Sequence, residues 1–192
     1  FHEEVPVFRD LILNPRLHDI CDQLQDHRMV PIGSIYFFCK PNNPLENGSV
    51  PHQDNYSPKS PPGSYFVASL AFDDADEKNG ALVVYPKTHL LGELPGQEKK
   101  NFEYDAKGQL TTAYPIGNEC RIPEGYPPLT LNYKKGSALF LHSLLVHSAP
   151  KNTNPEGRWR RQIYLHFIKD GHPFWPGWNA KRQIMDRGPR RV

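Results

Sequence analysis

Hydrophobic positions along this chain come in two rhythms. Near the amino terminus, Leu11, Leu17, Ile20 and Leu24 recur at roughly helical spacing, which predicts helix over residues 7–30, split by Pro15. Beyond it the texture changes. The runs IGSIYFFCK (32–40), SYFVASLAF (64–72), ALVVYP (81–86), SALFLHSLLVH (137–147) and RRQIYLHFI (160–168) are apolar, β-branched or aromatic, and Gly, Pro and Asn bound them. These read as strands. Many short strands with no helices alternating between them favour an antiparallel sandwich or barrel, with helices over one face. Residues 90–129 are a polar stretch with several prolines and glycines, too long for an ordinary connection, and read as a candidate lid.

Composition sharpens this in a few respects. A chain of 192 residues fits one domain spanning 1–192, able to bury roughly two-thirds of its unfolded surface. Its 20 prolines are well above the usual ~5% share and enforce short strands and long loops. A net charge of +2 supplies no global field for nucleic acid or an anionic membrane. No apolar run approaches the ~20 residues of a membrane span. The basic run KRQIMDRGPRR near the end reads as a solvated tail. Cys21, Cys39 and Cys120 are odd in number and have no paired spacing. They suit neither a disulfide framework nor a zinc ribbon and fit the cytoplasm or another reducing intracellular compartment. The chain opens on Phe1, which fits a piece trimmed at its amino terminus.

The chemistry concentrates in VPHQDNYSP. In an extended segment His52 and Asp54 lie on one face and can aim at the same point. A solvated turn and two-thirds of a metal site both satisfy this pattern. Any third ligand must come from elsewhere. His142 and His147 fall on opposite faces of a regular strand, so only one can face a cavity. His147 ends its apolar run at a rim, whereas His142 sits inside the run and reads as a hydrogen-bonded core residue. His166 reads as a packing residue on the last strand. Two histidines and one carboxylate suit non-haem Fe(II) with open positions, and they also suit a zinc hydrolase.

An arginine separates those readings. An enzyme that uses O₂ with a 2-oxoacid must anchor the acid's distal carboxylate, which a guanidinium fork does with two parallel hydrogen bonds. In strand alternation Arg160 shares a face with Gln162, Tyr164 and His166, opposite Arg161, Ile163, Leu165 and Phe167. Arg158 reaches the same space if the preceding turn bulges.

Together PHQDNY, SLAFDDADEKNGALVVYPKTHLLGEL and KGSALFLHSLLVHSAPKNTNPEGRWRRQIYLHF resemble the phytanoyl-CoA dioxygenase family of Fe(II)/2-oxoglutarate oxygenases, over roughly residues 32–168. The resemblance implies a double-stranded β-helix, a mostly β, cupin-like jelly-roll barrel with flanking helices. It implies Fe(II) on His52, Asp54 and His147, 2-oxoglutarate held by Arg160 with Arg158 as the alternative, and O₂ as co-reactant. Tyr36, in IYFFCKP, is a further candidate to line the 2-oxoglutarate pocket. The implied reaction hydroxylates a C–H bond of a small molecule, with release of succinate and CO₂. Desaturation, oxidative rearrangement and a silent jelly-roll binding module are the alternatives. The chain departs from the family pattern at Ala149, where a serine is common, at Ser69, where a tryptophan is common, and in the longer spacing from His147 to Arg160.

Overall fold

The computed structural model describes residues 2–43, 48–98, 102–104, 106–107, 109–113, 118–177 and 182–188. Two helices open the chain, α1 (Pro6–Ile12) and α2 (Pro15–Gln25). Asn14 caps α2, its side chain accepting from the Arg16 N–H at 3.0 Å, and Pro15 pre-sets the first turn. Asp26, left-handed at φ 45°, stops the helix. The helical stretch therefore ends earlier than the apolar spacing predicts, because Met29 and Val30 already belong to β1 (Met29–Cys39). The buried face of α2 is Leu17, His18 and Cys21, while Ile20 and Leu24 are exposed.

The remaining described strands are β2 (Ser49–His52), β3 (Tyr65–Ala71), β4 (Val83–Val84), β5 (Gly96–Glu98), β6 (Phe102–Tyr104), β7 (Leu110–Ala113), β8 (Asn118–Cys120), β9 (Leu129–Thr130), β10 (Ala138–His142), β11 (His147–Ala149) and β12 (Arg160–Lys169). They form two antiparallel four-stranded sheets, ordered β1-β12-β3-β10 and β2-β11-β4-β9, the layering of a double-stranded β-helix. The run predicted as one strand over 137–147 is two strands in different sheets, because Ser143–Val146 turn the chain between β10 and β11. His142 and His147 thus belong to different sheets. The stretch 90–129, read from sequence as a candidate lid, carries two small antiparallel ribbons, β5 with β8 and β6 with β7.

Directly paired residues on neighbouring antiparallel strands share a face, so the registers divide the long sheet into two sides. On one side Phe66, Ala68, Ile163, Leu165 and Phe167 pack against Ile12, Leu17 and Cys21 of the helices. On the other, Val30, Ile32, Tyr65, Val67 and Ile168 meet Leu82, Val84 and Ala149 of the short sheet to fill the barrel. Arg160, Gln162, Tyr164 and His166 lie on this interior side.

The basic tail is not a solvated end. Gln183 N–H donates to the Ile32 carbonyl (3.0 Å) and Met185 N–H to the Pro31 carbonyl (2.9 Å), so the chain covers the edge of β1. Arg187 clamps Asp22 with two bonds of 2.8 and 3.0 Å. No helix among the described residues is long and apolar enough to cross a membrane.

The loop before β4 is tied to the end of β11. Gly80 has φ 81°, and a Cβ there would stand 2.5 Å from the Pro150 carbonyl oxygen, just beyond the strand that carries His147. Gly80→Ala combines a left-handed penalty of roughly 1–2 kcal/mol with a clash against backbone. We expect it to destabilise the fold by at least ~2 kcal/mol, read as a lowered midpoint in urea unfolding.

Candidate metal centre

Three side chains from the short-sheet side of the barrel meet at its mouth. His52 ends β2, and His147 opens the adjacent β11 directly opposite it, which brings the two rings to 4.4 Å between centroids. A single 3-10 turn at Asp54–Tyr56 then swings Asp54 into place. Its Oδ1 lies 3.6 Å from His52 Nε2 and 3.7 Å from His147 Nε2. Among the described residues this is the group of three ligand-type side chains positioned to hold a metal ion.

The hydrogen bonds fix which ring nitrogen is free. His52 Nδ1 lies 2.7 Å from the Val50 carbonyl, and His147 Nδ1 lies 3.0 Å from the Leu145 carbonyl. A carbonyl only accepts, so each Nδ1 carries the proton and each Nε2 presents a lone pair toward Asp54. Burial and the neighbouring His147 push the His52 pKa down, which keeps the ring neutral and able to ligate. Nitrogen and oxygen atoms 3.6–3.7 Å apart can both lie ~2.1 Å from one cation, the usual metal–ligand distance. The donor set therefore fits a divalent first-row metal ion.

Gln53, between the two ligands, is a positioning residue that sequence spacing does not single out. It is buried, donates to the Gly92 (2.9 Å) and Leu144 (2.7 Å) carbonyls, and accepts from Leu94 N–H (2.8 Å). One side chain thus ties the metal loop to the turn before His147 and to the start of the 90–129 stretch.

Arg160 begins β12 on the interior side and is 1% exposed. Its Nη2 donates to Cys39 Sγ at 2.8 Å, while Nε and Nη1 are buried and find no well-formed hydrogen bond among the described residues. The hydroxyls of Tyr133 and Tyr164 are beside it. Burial pushes both phenols up while the Arg160 charge pulls them down, so both stay protonated donors. Gln162 links them, accepting from Tyr133 Oη at 2.9 Å and donating to the Tyr164 hydroxyl. Ser69, where the family pattern favours tryptophan, is buried against Gln162 at 3.4 Å. A buried guanidinium with two orphan N–H groups and hydroxyls nearby is a ready receptor for a carboxylate.

The other predicted residues are elsewhere. Arg158 points outward and is bound to Asp76 at 2.7 Å, an ion pair that holds the Asp76 carboxyl below its ordinary range. Tyr36 corrects the expectation of a pocket role. It pairs with Ile163, so it faces the helix layer and packs against Phe8 and Phe72 at 5.9 Å, and the face it leaves to the interior is that of Phe37 and Cys39. His142 pairs with Phe66 and shares its outward face. On the metal loop, the Trp175 backbone N–H donates to the Pro58 carbonyl.

His166 is interior and 7% exposed, edge-on to Tyr65 at 5.6 Å, and burial lowers its pKa to about 4. The folded state holds this ring neutral while the unfolded chain takes up a proton below pH ~6.5. Its contribution to stability is therefore complete above that pH and is lost as pH falls toward 4. We expect a loss on the order of 2–3 kcal/mol from this group, and a flatter stability profile over pH 6.5–4 in His166→Gln, measured by urea unfolding.

Comparison with known proteins agrees with this architecture. Residues 1–161 match the family described as phytanoyl-CoA dioxygenase (PhyH). Phytanoyl-CoA dioxygenase domain-containing protein 1 of Danio rerio is 26% identical over 177 residues, covering 91% of this chain and 57% of that protein. Phytanoyl-CoA dioxygenase 1 of Oryza sativa subsp. japonica is 28% identical over 167 residues, covering 87% and 54%. The chain thus spans little more than half the length of these relatives. Among solved structures, the epimerase SnoN in complex with Fe3+, alpha-ketoglutarate and nogalamycin RO superposes with a TM-score of 0.67 at 19% identity, covering 90% of this chain and 62% of SnoN. The carbocyclase SnoK from nogalamycin biosynthesis gives 0.67 at 18% identity, covering 93% and 64%. These likenesses show a shared fold, and the match over residues 1–161 shows that the chain belongs to the phytanoyl-CoA dioxygenase family.

Proposed function

We propose that this chain is an Fe(II)/2-oxoglutarate-dependent oxygenase that hydroxylates a C–H bond of a small molecule. The observation that carries the reading is the joint presence, in one barrel, of a two-histidine, one-carboxylate cluster and a buried arginine with no carboxylate partner among the described residues. The first suits Fe(II) with open coordination positions, and the second suits the distal carboxylate of 2-oxoglutarate. When bound, the iron and its cosubstrate supply O₂ activation coupled to decarboxylation of 2-oxoglutarate, giving succinate and CO₂.

The chain's own contribution is placement. His52, Asp54 and His147 hold the metal, with the Val50 and Leu145 carbonyls setting the two tautomers. Arg160, with the Tyr133 and Tyr164 hydroxyls, orients the cosubstrate. Gln53 keeps the metal loop in register with β11. Filling the third ligand position with Asp54 leaves no vacancy for a halide and favours hydroxylation over halogenation.

Iron-dependent release of succinate from 2-oxoglutarate tests the reading. Its absence with Fe(II), ascorbate and O₂ would favour a binding module. In Asp54→Gly we expect product formation to be lost, while the Kd for 2-oxoglutarate rises by no more than about tenfold, since Arg160 is untouched. Titration of the metal-loaded variant with 2-oxoglutarate checks this, and unchanged product formation would remove Asp54 from the ligand set.

A further inference from the structure

A second buried guanidinium lies beside the loop that carries Asp54. Arg182 enters from the C-terminal segment and is 8% exposed. The segment itself is docked by other groups, the main chain of Gln183 and Met185 and the Arg187–Asp22 clamp. The Arg182 side chain is left to point inward. Its Nη2 donates to Ser57 Oγ at 2.5 Å, its Nη1 reaches the Trp175 carbonyl only at 3.5 Å, and its buried Nε has no hydrogen-bond partner among the described residues. No carboxylate pairs with it among the described residues. A buried cation left without an anion is costly, and such a site gains most from an anionic ligand.

The surroundings place this cation beside the reaction centre. Tyr65 and His166, both buried on the interior side, each feel the charges of Arg182 and of Asp54. Ser57 lies one turn beyond Asp54, its N–H bonded to the Asp54 carbonyl at 3.1 Å. Arg160 opens the same strand that carries His166, and at ~3.3 Å per residue the two are roughly 20 Å apart along it. The two arginines therefore act at different positions along β12, Arg160 on Tyr164 and Arg182 on His166.

We propose that Arg182, oriented by Ser57 and flanked by Tyr65 and His166, binds a carboxylate of the primary substrate, so that this chain acts on a free organic acid. The proposal rests on the reading that Arg160 takes 2-oxoglutarate. One cation with hydroxyl neighbours matches a monoanion and the planar fork of a carboxylate. The neutral His166 adds no second charge, which disfavours a phosphate dianion. A thioester of the same acid would present no charge to the site.

The test uses the full chain loaded with Zn(II) and 2-oxoglutarate, titrated calorimetrically with butanoate, hexanoate and decanoate, each against its amide, and with hexyl phosphate. At least one carboxylate should bind tenfold or more tightly than its amide. Arg182→Gln should weaken that carboxylate at least tenfold while the Kd of 2-oxoglutarate stays within twofold, and Arg182→Lys should fall between. Ser57→Ala should weaken it severalfold. No carboxylate binding, parity with the amides, a preference for hexyl phosphate, or undiminished affinity in Arg182→Gln each overturns the proposal. If Arg182→Gln instead weakens 2-oxoglutarate and Arg160→Gln does not, the cosubstrate assignment falls as well. If Arg160→Gln alone weakens 2-oxoglutarate while no carboxylate depends on Arg182, only this proposal falls. Should Arg182→Gln fail to fold, the amide comparison on the unaltered chain and the Ser57→Ala variant decide.

Discussion

Alanine in place of His52 is expected to abolish iron-dependent succinate release. The variant keeps Asp54 and His147 but loses the ligand whose Nε2 lies 3.6 Å from Asp54 Oδ1, and β2 offers no substitute. Losing an outer partner of a ligand typically costs roughly 10- to 100-fold in metal affinity or activity. Losing the ligand itself should exceed that, with turnover falling more than ~100-fold and Fe(II) binding weakening in parallel. The stability cost is small by comparison, since the side chain is half-buried and makes one hydrogen bond, to the Val50 carbonyl. His142→Ala is the matched control. That ring lies on the outward face of β10 against His89, and its removal should leave turnover close to that of the unaltered chain. Near-normal succinate release in His52→Ala, or its loss in His142→Ala, would remove His52, Asp54 and His147 as the metal site.

What could be read from the chain before its structure divides along physical lines. Apolar runs in strand alternation located β3 and β12 nearly to the residue, since each has one mostly apolar face against the helices. The same alternation put Arg160, Gln162, Tyr164 and His166 on one side, which the register with β3 reproduces. It failed over 137–147, because a turn whose Leu144 and Val146 are themselves buried has the composition of a strand. The family resemblance, not alternation, put Tyr36 in the 2-oxoglutarate pocket. Residues 35–38 are apolar or aromatic on both faces, so no polar face reveals direction, and only the pairing with β12 shows that Phe37 and Cys39, not Tyr36, share the side of Arg160.

The candidate metal cluster was legible because His52 and Asp54 lie two residues apart in an extended segment and the family resemblance joined the rim residue His147 to them. Gln53 and Arg182 were not. Gln53 acts through two carbonyls and an N–H supplied by distant segments, and no local pattern encodes that. Arg182 belongs to a basic tail whose composition reads as solvated, and only the edge pairing along Pro31 and Ile32 carries it inside.

The 2-oxoglutarate KM should separate Arg160 from Arg158 decisively. From spacing alone the two compete, and the shorter distance from His147 favours Arg158. Arg158 already has an anion, with Nη2 2.7 Å from Asp76, and is about one-third exposed, so it would have to break that pair and cross the rim to reach a ligand. Among the described residues Arg160 has no anionic partner, and its Nε and Nη1 are buried without a hydrogen bond. Each hydrogen bond between charged groups contributes about 1.5–3 kcal/mol, and a carboxylate left in the barrel without its fork loses two of them. Arg160→Ala should therefore raise the 2-oxoglutarate KM on the order of 100-fold, an effect of about 3 kcal/mol. Arg160→Lys restores charge without the planar fork and should recover only part of it. Arg158→Ala should leave KM within about twofold, its loss confined to a solvent-screened pair. A steep rise in Arg158→Ala with none in Arg160→Ala would mean that the final strand enters the site two residues out of the register seen here. An unchanged KM in both variants would exclude both arginines as the anchor, and with them 2-oxoglutarate bound through this strand.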